Sequence, residues 1–345
     1  MTGVIPNGQG ADLARTRLEN LASDERVTTI ILVVAGIVLS LTTSYSLLGY
    51  SRDYLEYLNY YNTIPRILSF EDARFEPEFH AAAWLFSVVF DADMSLFILA
   101  ISAISIGIKF YLFKRYLSYP LIAALLYMVT FYPIHEYTQY RVGIALSFAY
   151  LAAHLLLERK YFKSSACLIV SIGFHYSSIL VALTAVGGFL GYGRRGVLIA
   201  IAGLAIGGLL ILQFPQVLTS VFETLNPLSS NYLDNKAMYE GVSLLSVNNL
   251  ILIAAILAYI MAGYYNSGRY ETMFLIMTIV CLFPIILLPE APIIAQRSKE
   301  VLFLAVIFLS CYNPLSKSNI FGFGFVAAMS ALLGYLHVSG GVIFT

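Results

Sequence analysis

Long apolar stretches recur along almost the whole chain after residue 26, and this pattern restricts the possible folds more than any other feature. Each stretch approaches the roughly 20 residues that an α-helix needs to cross a bilayer. Composition agrees, because only 12% of the residues are charged, against about 25% in soluble domains. Basic and acidic residues number 20 each, so no net charge indicates binding to nucleic acid. These features exclude a soluble enzyme, a DNA-binding protein and a secreted disulfide scaffold, and they predict an all-α polytopic membrane protein.

The hydropathy pattern predicts a cytoplasmic N-terminal tail, 1–26, followed by a single integral membrane domain, 27–345. Spanning segments must satisfy their backbone polar groups internally, so they are expected to be helices. About eleven transmembrane helices are predicted, at 27–48, 94–113, 119–133, 141–157, 162–174, 177–191, 196–213, 247–265, 271–288, 300–312 and 319–337.

The distribution of basic residues gives the predicted orientation, because loops on the cytoplasmic side carry more Lys and Arg. With the N-terminus in the cytoplasm, thirteen of the 20 basic residues lie inside, and the outer ones are Arg52, Arg66, Arg74, Arg141, Lys236, Arg297 and Lys299. The outer loops large enough to cover a site are 49–93 and 214–246. Within the first, segments 54–61 and 79–90 are predicted to form interfacial helices.

Most of the predicted outer basic residues are arginines, whose planar guanidinium binds phosphate oxygens bidentately. Arg141 and Arg297 lie at the mouths of predicted spans, which makes them candidate phosphate ligands. Arg52 lies close to the end of the first span and is a further candidate. The alternative for such arginines is an interfacial side chain that reaches lipid headgroups.

Asp53 lies within a few residues of the end of the first span and is a candidate to accept a proton from a sugar hydroxyl. Its alternative is a cap on the following helix. Tyr57 lies one helical turn later on the same face, and an aromatic ring beside a carboxylate suits carbohydrate. A tyrosine at the membrane interface equally needs no ligand.

Segment 162–191 is flanked by basic residues at both ends, so it is predicted to enter the membrane and return. The turn falls near Phe174-His175-Tyr176-Ser177 and lies on the outer side. Ionisable groups at such depth tend to face functional cavities, so His175 and its neighbour Ser177 are candidate site residues, with plain packing as the alternative. His135 and Glu136 are further candidates because they share an outer loop with Arg141.

No metal or cofactor is predicted. Zinc-ligand spacing is absent from the sequence. The motif Asp91-Ala92-Asp93 matches a metal–nucleotide pattern, but it lies on the predicted outer side, away from cytoplasmic nucleotide sugars.

Four short motifs, taken in order, resemble the EpsG-type (Wzy-like) bacterial polysaccharide polymerases. They are Gly49-(x)3-Asp53-Tyr54, Glu76-Pro77-x-Phe79, Arg141 at the start of a span, and Phe174-His175-x-Ser177. The similarity covers roughly residues 27–190, with Arg297 as a later member. The chain departs from the family pattern at Glu78, where glycine is usual, and at Val142, where glutamine is common.

The resemblance implies a GT-C-like glycosyltransferase architecture in the bacterial cytoplasmic (inner) membrane, with the active site facing the periplasm or outside. The implied reaction transfers the glycan from one undecaprenyl pyrophosphate carrier to the non-reducing end of a second lipid-linked repeat unit. In a metal-independent inverting displacement, Arg141 and Arg297 are expected to clamp the pyrophosphate, and either Asp53 or His175 to act as the base. Glu76 is expected to position the acceptor or orient an arginine.

The expected partners are the lipid-linked donor and acceptor and membrane lipid, with a chain-length regulator protein as a further candidate and no nucleic acid. Two alternatives stay open at this point. One is a ligase or single-addition glycosyltransferase using the same lipid donor. The other is a transporter or flippase of an anionic lipid-linked glycan, although the internal repeats common in transporters are not evident here.

Overall fold

All secondary structure in the described part of the chain is helical. A computed structural model describes residues 25–51, 53–70, 74–191, 193–213, 245–264, 268–288, 292–312 and 320–339. Arg52, the predicted tail as far as residue 24, and residues 214–244 of the second predicted outer loop lie outside the described residues. The helices are α1 (Glu25–Ser44), α2 (Tyr54–Asn62), α3 (Pro77–Trp84), α4 (Met94–Tyr116), α5 (Pro120–Thr130), α6 (Tyr132–His135), α7 (Tyr140–Leu157), α8 (Tyr161–Phe174), α9 (Ile179–Leu190), α10 (Arg194–Gln213), α11 (Val247–Met261), α12 (Arg269–Val280), α13 (Phe283–Leu287), α14 (Pro292–Phe303), α15 (Ala305–Tyr312) and α16 (Ile320–Ser339).

Helices occur at every segment that the sequence predicts to span the membrane. Those long and apolar enough to cross a bilayer, by length and composition, are Glu25–Ser44, Met94–Tyr116, Tyr140–Leu157 and Arg269–Leu287. The all-α membrane class is therefore confirmed, while the number of crossings stays a prediction.

Several predicted spans are divided rather than continuous. The segment predicted at 119–133 divides at Phe131, and the short α6 then begins at Tyr132 with Pro133 in its first turn. The segment predicted at 271–288 divides at Cys281, three residues before Pro284. Proline lacks the backbone N–H that a helix interior requires, so the chain restarts a helix at each of these positions.

The helical structure at the span predicted at 300–312 also begins earlier than expected. Helix α14 begins at Pro292 rather than at residue 300, and α15 follows it after Leu304. Arg297 and Lys299 are therefore helical, and Lys299 is only 6% exposed. The hydropathy pattern misses this stretch because its charged residues lower the local average.

A small aromatic cluster joins the first loop to the helical core. Tyr57 of α2 and Phe79 of α3 pack with Phe97 of α4 and with Tyr140 and Ile144 of α7. The helices predicted at 54–61 and 79–90 are thus present as α2 and as α3 with a π-helical turn, Leu85–Val89. This packing fixes both loop helices over the N-terminal end of α7.

A buried ion pair ties α4 to the segment that leads into α7. Lys109 Nζ lies 2.5 Å from Glu136 Oε1, and both side chains are at most 1% exposed. The ammonium also donates to the Gly143 carbonyl (2.8 Å) and to Ser147 Oγ (2.7 Å). A Cβ atom at Gly143 would overlap the Glu136 carboxylate, so only glycine fits there. The pair therefore holds the start of α7 in place.

This pair corrects part of the orientation argument, which counted Lys109 among the inner basic residues and Glu136 among the outer acids. In the structure, neither is a loop charge, because each neutralises the other inside the protein. When this pair is left out of the count, the predicted inner side has one basic residue fewer. It still carries more basic residues than the predicted outer side.

Candidate functional site

Three candidate residues that are far apart in sequence meet at one carboxylate. Arg141 Nη1 donates to Glu76 Oε2 across 65 positions of sequence, and His175 Nδ1 lies 2.6 Å from Glu76 Oε1 across 99 positions. Glu76 is 7% exposed, while Arg141 and His175 each keep 18% exposure. The carboxylate is thus inside the protein and the two cationic or basic groups are at its accessible edge.

The backbone around Glu76 leaves its side chain available for these contacts. Glu76 precedes Pro77, which disfavours the helical conformation at the residue before it, and its backbone is extended with φ −59° and ψ 151°. The residue caps α3, but its side chain makes no capping hydrogen bond. Its two oxygens instead contact different partners, Oε2 accepting from Arg141 and Oε1 contacting His175.

His175 lies at the break between α8 and the 3-10 turn Tyr176–Ser178. Its backbone is extended, with φ −163° and ψ 119°, and its N–H donates to the Ser171 carbonyl at 3.0 Å. Nearby, a Cβ atom at Gly173 would overlap the carboxylate of Glu78. Glycine at this position therefore allows α8 to approach α3 closely enough for His175 to reach Glu76.

The contact with Glu76 defines the chemistry of the His175 ring. A carboxylate only accepts hydrogen bonds, so Nδ1 carries the proton that lies between the two groups. In the neutral ring Nε2 then holds the lone pair. No described residue hydrogen-bonds Nε2, and the side chain as a whole is partly exposed.

Aromatic rings hold the Arg141 guanidinium in a fixed plane. Its Cζ lies 4.0 Å from the centroid of the Phe75 ring, with Tyr57 and Phe79 within 6 Å. Its Nε donates to Tyr57 Oη at 3.4 Å. Stacking of this kind suits arginine in particular, because the guanidinium is flat and weakly hydrated.

Electrostatics keep the Glu76 carboxylate ionised. Burial alone would raise the pKa of Glu76, but the hydrogen bond with His175 and the positive charge of Arg141 outweigh it and lower the pKa to about 2. A carboxylate with so low a pKa is a poor proton acceptor at neutral pH. Glu76 can therefore orient the histidine and the arginine, but it does not compete with the histidine as a base.

Other predicted residues lie around this group. Asp53 immediately precedes α2, makes no capping hydrogen bond from its side chain, and interacts electrostatically with Tyr57. Ser177 follows His175 in the 3-10 turn, and its buried Oγ has no hydrogen-bond partner among the described residues. Arg297 lies on α14, which packs against that same turn.

Sequence reasoning missed the aromatic residues that hold Arg141. Phe75 lies beside Glu76 in the sequence, and Phe79 belongs to the Glu76-Pro77-x-Phe79 motif, but neither was treated as part of the site. Phenylalanines close to the carboxylate of Glu76 on both sides, in an otherwise polar loop, were the available signal. In the described part of the chain, no group of three or more His, Cys, Asp or Glu side chains is arranged to hold a metal ion.

Comparison with known proteins identifies the family of this chain. No curated protein and no solved structure matches the chain. The model of the EpsG family matches residues 29–341, which is nearly the whole sequence, and the chain therefore belongs to the EpsG family.

Proposed function

We propose that this member of the EpsG family polymerises lipid-linked oligosaccharide repeat units. It transfers the growing glycan from one undecaprenyl pyrophosphate carrier to the non-reducing end of a second lipid-linked unit. Family membership indicates a polysaccharide polymerase-like function. The observation that carries the finer proposal is the single carboxylate, Glu76, that binds both Arg141 and His175.

His175 is the proposed general base. Its Nδ1 donates to Glu76, so the ring is held in one orientation with the Nε2 lone pair directed away from the carboxylate. A carboxylate–imidazole pair also stabilises the imidazolium that forms when the ring accepts a proton. Asp53, which immediately precedes α2, is the alternative base.

Arg141 is proposed to bind the pyrophosphate of the donor. Its charge is partly balanced by Glu76, so further positive groups are needed around a diphosphate. The N-terminal end of α7, where Arg141 lies in the first turn, adds a partial positive charge. Arg297 and Arg52 are the further proposed ligands, and the hydroxyls of Tyr57 and Ser177 are proposed donors to phosphate or sugar oxygens.

The proposed reaction is a single displacement with inversion. The acceptor hydroxyl oxygen attacks the anomeric carbon of the donor, and its proton passes to Nε2 of His175. The bond between the anomeric carbon and the pyrophosphate oxygen breaks, and undecaprenyl pyrophosphate leaves as the anion. Arg141 stabilises the negative charge that grows on the leaving group, so the scheme needs no metal ion.

The site is proposed to face the outside of a bacterial cytoplasmic membrane, in a GT-C-like arrangement of about eleven crossing helices. Glu76 comes from the loop after α1, Arg141 from the start of α7 and His175 from the end of α8. Because α7 and α8 pack together as consecutive helices, these positions share one end of the bundle. The excess of basic residues at the other end supports an outward-facing site.

The product of a reconstituted reaction tests this proposal. Purified full-length protein in proteoliposomes is given lipid-linked repeat units, and the glycans are separated by length. We expect a ladder of products from the wild-type chain and none from Glu76→Gln. A single addition product would identify a ligase or single-addition transferase instead. Movement of the lipid across the bilayer with no new glycosidic bond would identify a flippase.

A further inference from the structure

A cavity with polar residues in its lining lies beside the proposed site, where α6, α11 and α14 meet. Its volume is about 90 Å³, and its lining includes Thr130, His135, Asn248, Lys299 and Glu300. None of the proposed catalytic contacts involves these residues. Ionisable side chains in the lining of a cavity are unusual inside a helical membrane protein, where such groups mark functional sites.

Several buried atoms in this cavity lack hydrogen-bond partners. Both ring nitrogens of His135, which is fully buried, have none among the described residues, and the same holds for Thr130 Oγ1 and Asn248 Oδ1. Each buried polar atom without a partner costs about 1–3 kcal/mol. A molecule bound in the cavity therefore stabilises the folded chain if its polar groups hydrogen-bond to these atoms.

The charges of the lining favour a neutral occupant. Lys299 Nζ donates to Asn249 Oδ1 at 2.6 Å, and Glu300 Oε1 accepts from Gln296 Nε2 at 2.9 Å. The Glu300 carboxylate would repel an anion, and the Lys299 ammonium would repel a cation. A hydroxyl group can donate to the carboxylate and accept from the ammonium, so it suits both.

Aromatic rings complete the lining. The rings of Phe131 and Phe303 lie 5.2 Å apart, and Phe131 also contacts the His135 ring. Apolar ring faces beside hydrogen-bonding side chains match a sugar, which presents C–H groups on its faces and hydroxyls around its edge. The cavity volume is smaller than the roughly 150 Å³ that holds a benzene ring, so one edge of a sugar fits, rather than a whole residue.

The cavity is close to the proposed catalytic group. The Glu300 side chain interacts with Gln139, which lies two residues before Arg141 in the sequence. Helix α14, which carries Lys299 and Glu300, packs against the 3-10 turn that follows His175. A glycan bound at the catalytic group can therefore extend a sugar residue toward the cavity.

From these contacts we infer that the cavity binds the hydroxyl-bearing edge of a neutral sugar residue of the glycan substrate, through His135, Thr130 and Asn248. The inference rests on the proposed function, because a glycan must reach the site. It adds a sugar-recognition subsite that is separate from the charged groups that bind the pyrophosphate.

The test measures binding without catalysis. The probe is the neutral oligosaccharide repeat unit released from its lipid pyrophosphate, and its binding to full-length protein in nanodiscs is followed by saturation-transfer NMR. Thr130→Val removes a buried hydroxyl without changing the size of the side chain. We expect it to weaken binding about tenfold, with a similar or larger loss for His135→Phe.

Thr28→Val is the matched control, because Thr28 Oγ1 on α1 is also buried without a described partner but lies outside the cavity. We expect this variant to bind the oligosaccharide as the wild-type chain does. Unchanged binding in both cavity variants would show that the cavity holds only water and would overturn the inference, as would no binding to the wild-type chain. Displacement of the probe from the cavity by inorganic pyrophosphate would instead indicate an anion site.

The two proposals fail in different ways. If oligosaccharide binding depends on Thr130 but the wild-type protein forms no product ladder, the polymerase proposal fails and the sugar subsite stands. If a ladder forms but oligosaccharide binding does not depend on Thr130 or His135, the polymerase proposal stands and the subsite proposal is wrong.

Discussion

At the scale of single residues, Arg141 makes contacts that depend on its planar shape as well as its charge. It donates to Glu76 and to Tyr57, and its face stacks on Phe75. Lysine keeps the charge but loses the planar group with its several fixed donors. The contribution of shape can therefore be separated from that of charge by one substitution.

We expect Arg141→Lys to lower the rate of polymerisation about a hundredfold and to shorten the products, because the pyrophosphate loses a bidentate ligand. The length distribution of the glycan on a gel is the measurement. Arg74→Lys is the control, since Arg74 pairs with the exposed Glu56 and should leave the distribution unchanged. A full length distribution from Arg141→Lys would disprove the clamp.

The low pKa of Glu76 predicts how stability depends on pH. Folding lowers this pKa from 4.5 to about 2, so the carboxylate contributes fully above pH 4.5, and the contribution is lost as the pH falls toward 2. Its size is on the order of 3 kcal/mol. Thermal unfolding of the wild-type chain and of Glu76→Gln should differ by a constant amount above about pH 5, and the difference should shrink below pH 4.5. A difference that stays constant down to about pH 3 would mean that these partners do not lower the pKa of Glu76 in the folded state.

At the scale of helices, the buried pair Lys109–Glu136 holds α4 against the start of α7. Removing one partner of a buried ion pair lowers the free energy of unfolding by about 3–5 kcal/mol, because the other charge is left uncompensated. We expect Lys109→Met to lower the unfolding temperature strongly, and Lys109→Met with Glu136→Gln to recover part of the loss. Thermal unfolding in detergent measures both.

Lys114→Met on the same helix is the matched control, because Lys114 pairs with Glu25, whose side chain is 84% exposed. An exposed pair contributes about 0–1 kcal/mol, so this variant should unfold near the wild-type temperature. Equal losses from Lys109→Met and Lys114→Met would contradict a structural role for the buried pair.

The membrane helices were largely predictable from sequence, because the structure has a helix at every apolar segment predicted to span the membrane. The pairing of Lys109 with Glu136 was not, because hydropathy records each charge separately and cannot show that two of them meet. The early start of α14 was missed for a related reason, since Arg297 and Lys299 lower the local hydropathy although the backbone is helical.

At the scale of the whole molecule, the proposed outward orientation predicts which positions a reagent can reach. Tyr176 is 58% exposed just beyond the C-terminal end of α8, and Lys160 immediately precedes its N-terminal end. In a chain whose native cysteines are replaced, we expect a membrane-impermeant maleimide to label Tyr176→Cys in intact cells, but not Lys160→Cys. Labelling of Lys160→Cys alone would reverse the orientation and remove the site from the outer face.

The candidate site was only partly predictable at this scale. Glu76, Arg141 and His175 were each selected from sequence, by motif, residue type or position at a turn. Their meeting was not predictable from spacing, since 65 and 99 positions separate the bonded pairs. It depends on packing between helices, such as the close approach of α8 to α3 at Gly173, which no local pattern records.

The most direct measurement is a double-mutant cycle on Glu76 and His175 in the reconstituted polymerisation reaction. If Glu76 acts by orienting His175, Glu76→Gln and His175→Gln should each slow initial consumption of the lipid-linked unit about 10²–10⁴-fold. The double variant should then be no slower than the slower single variant, because both changes disable one unit. Losses that multiply in the double variant, or a full rate in either single variant, would contradict a catalytic pair.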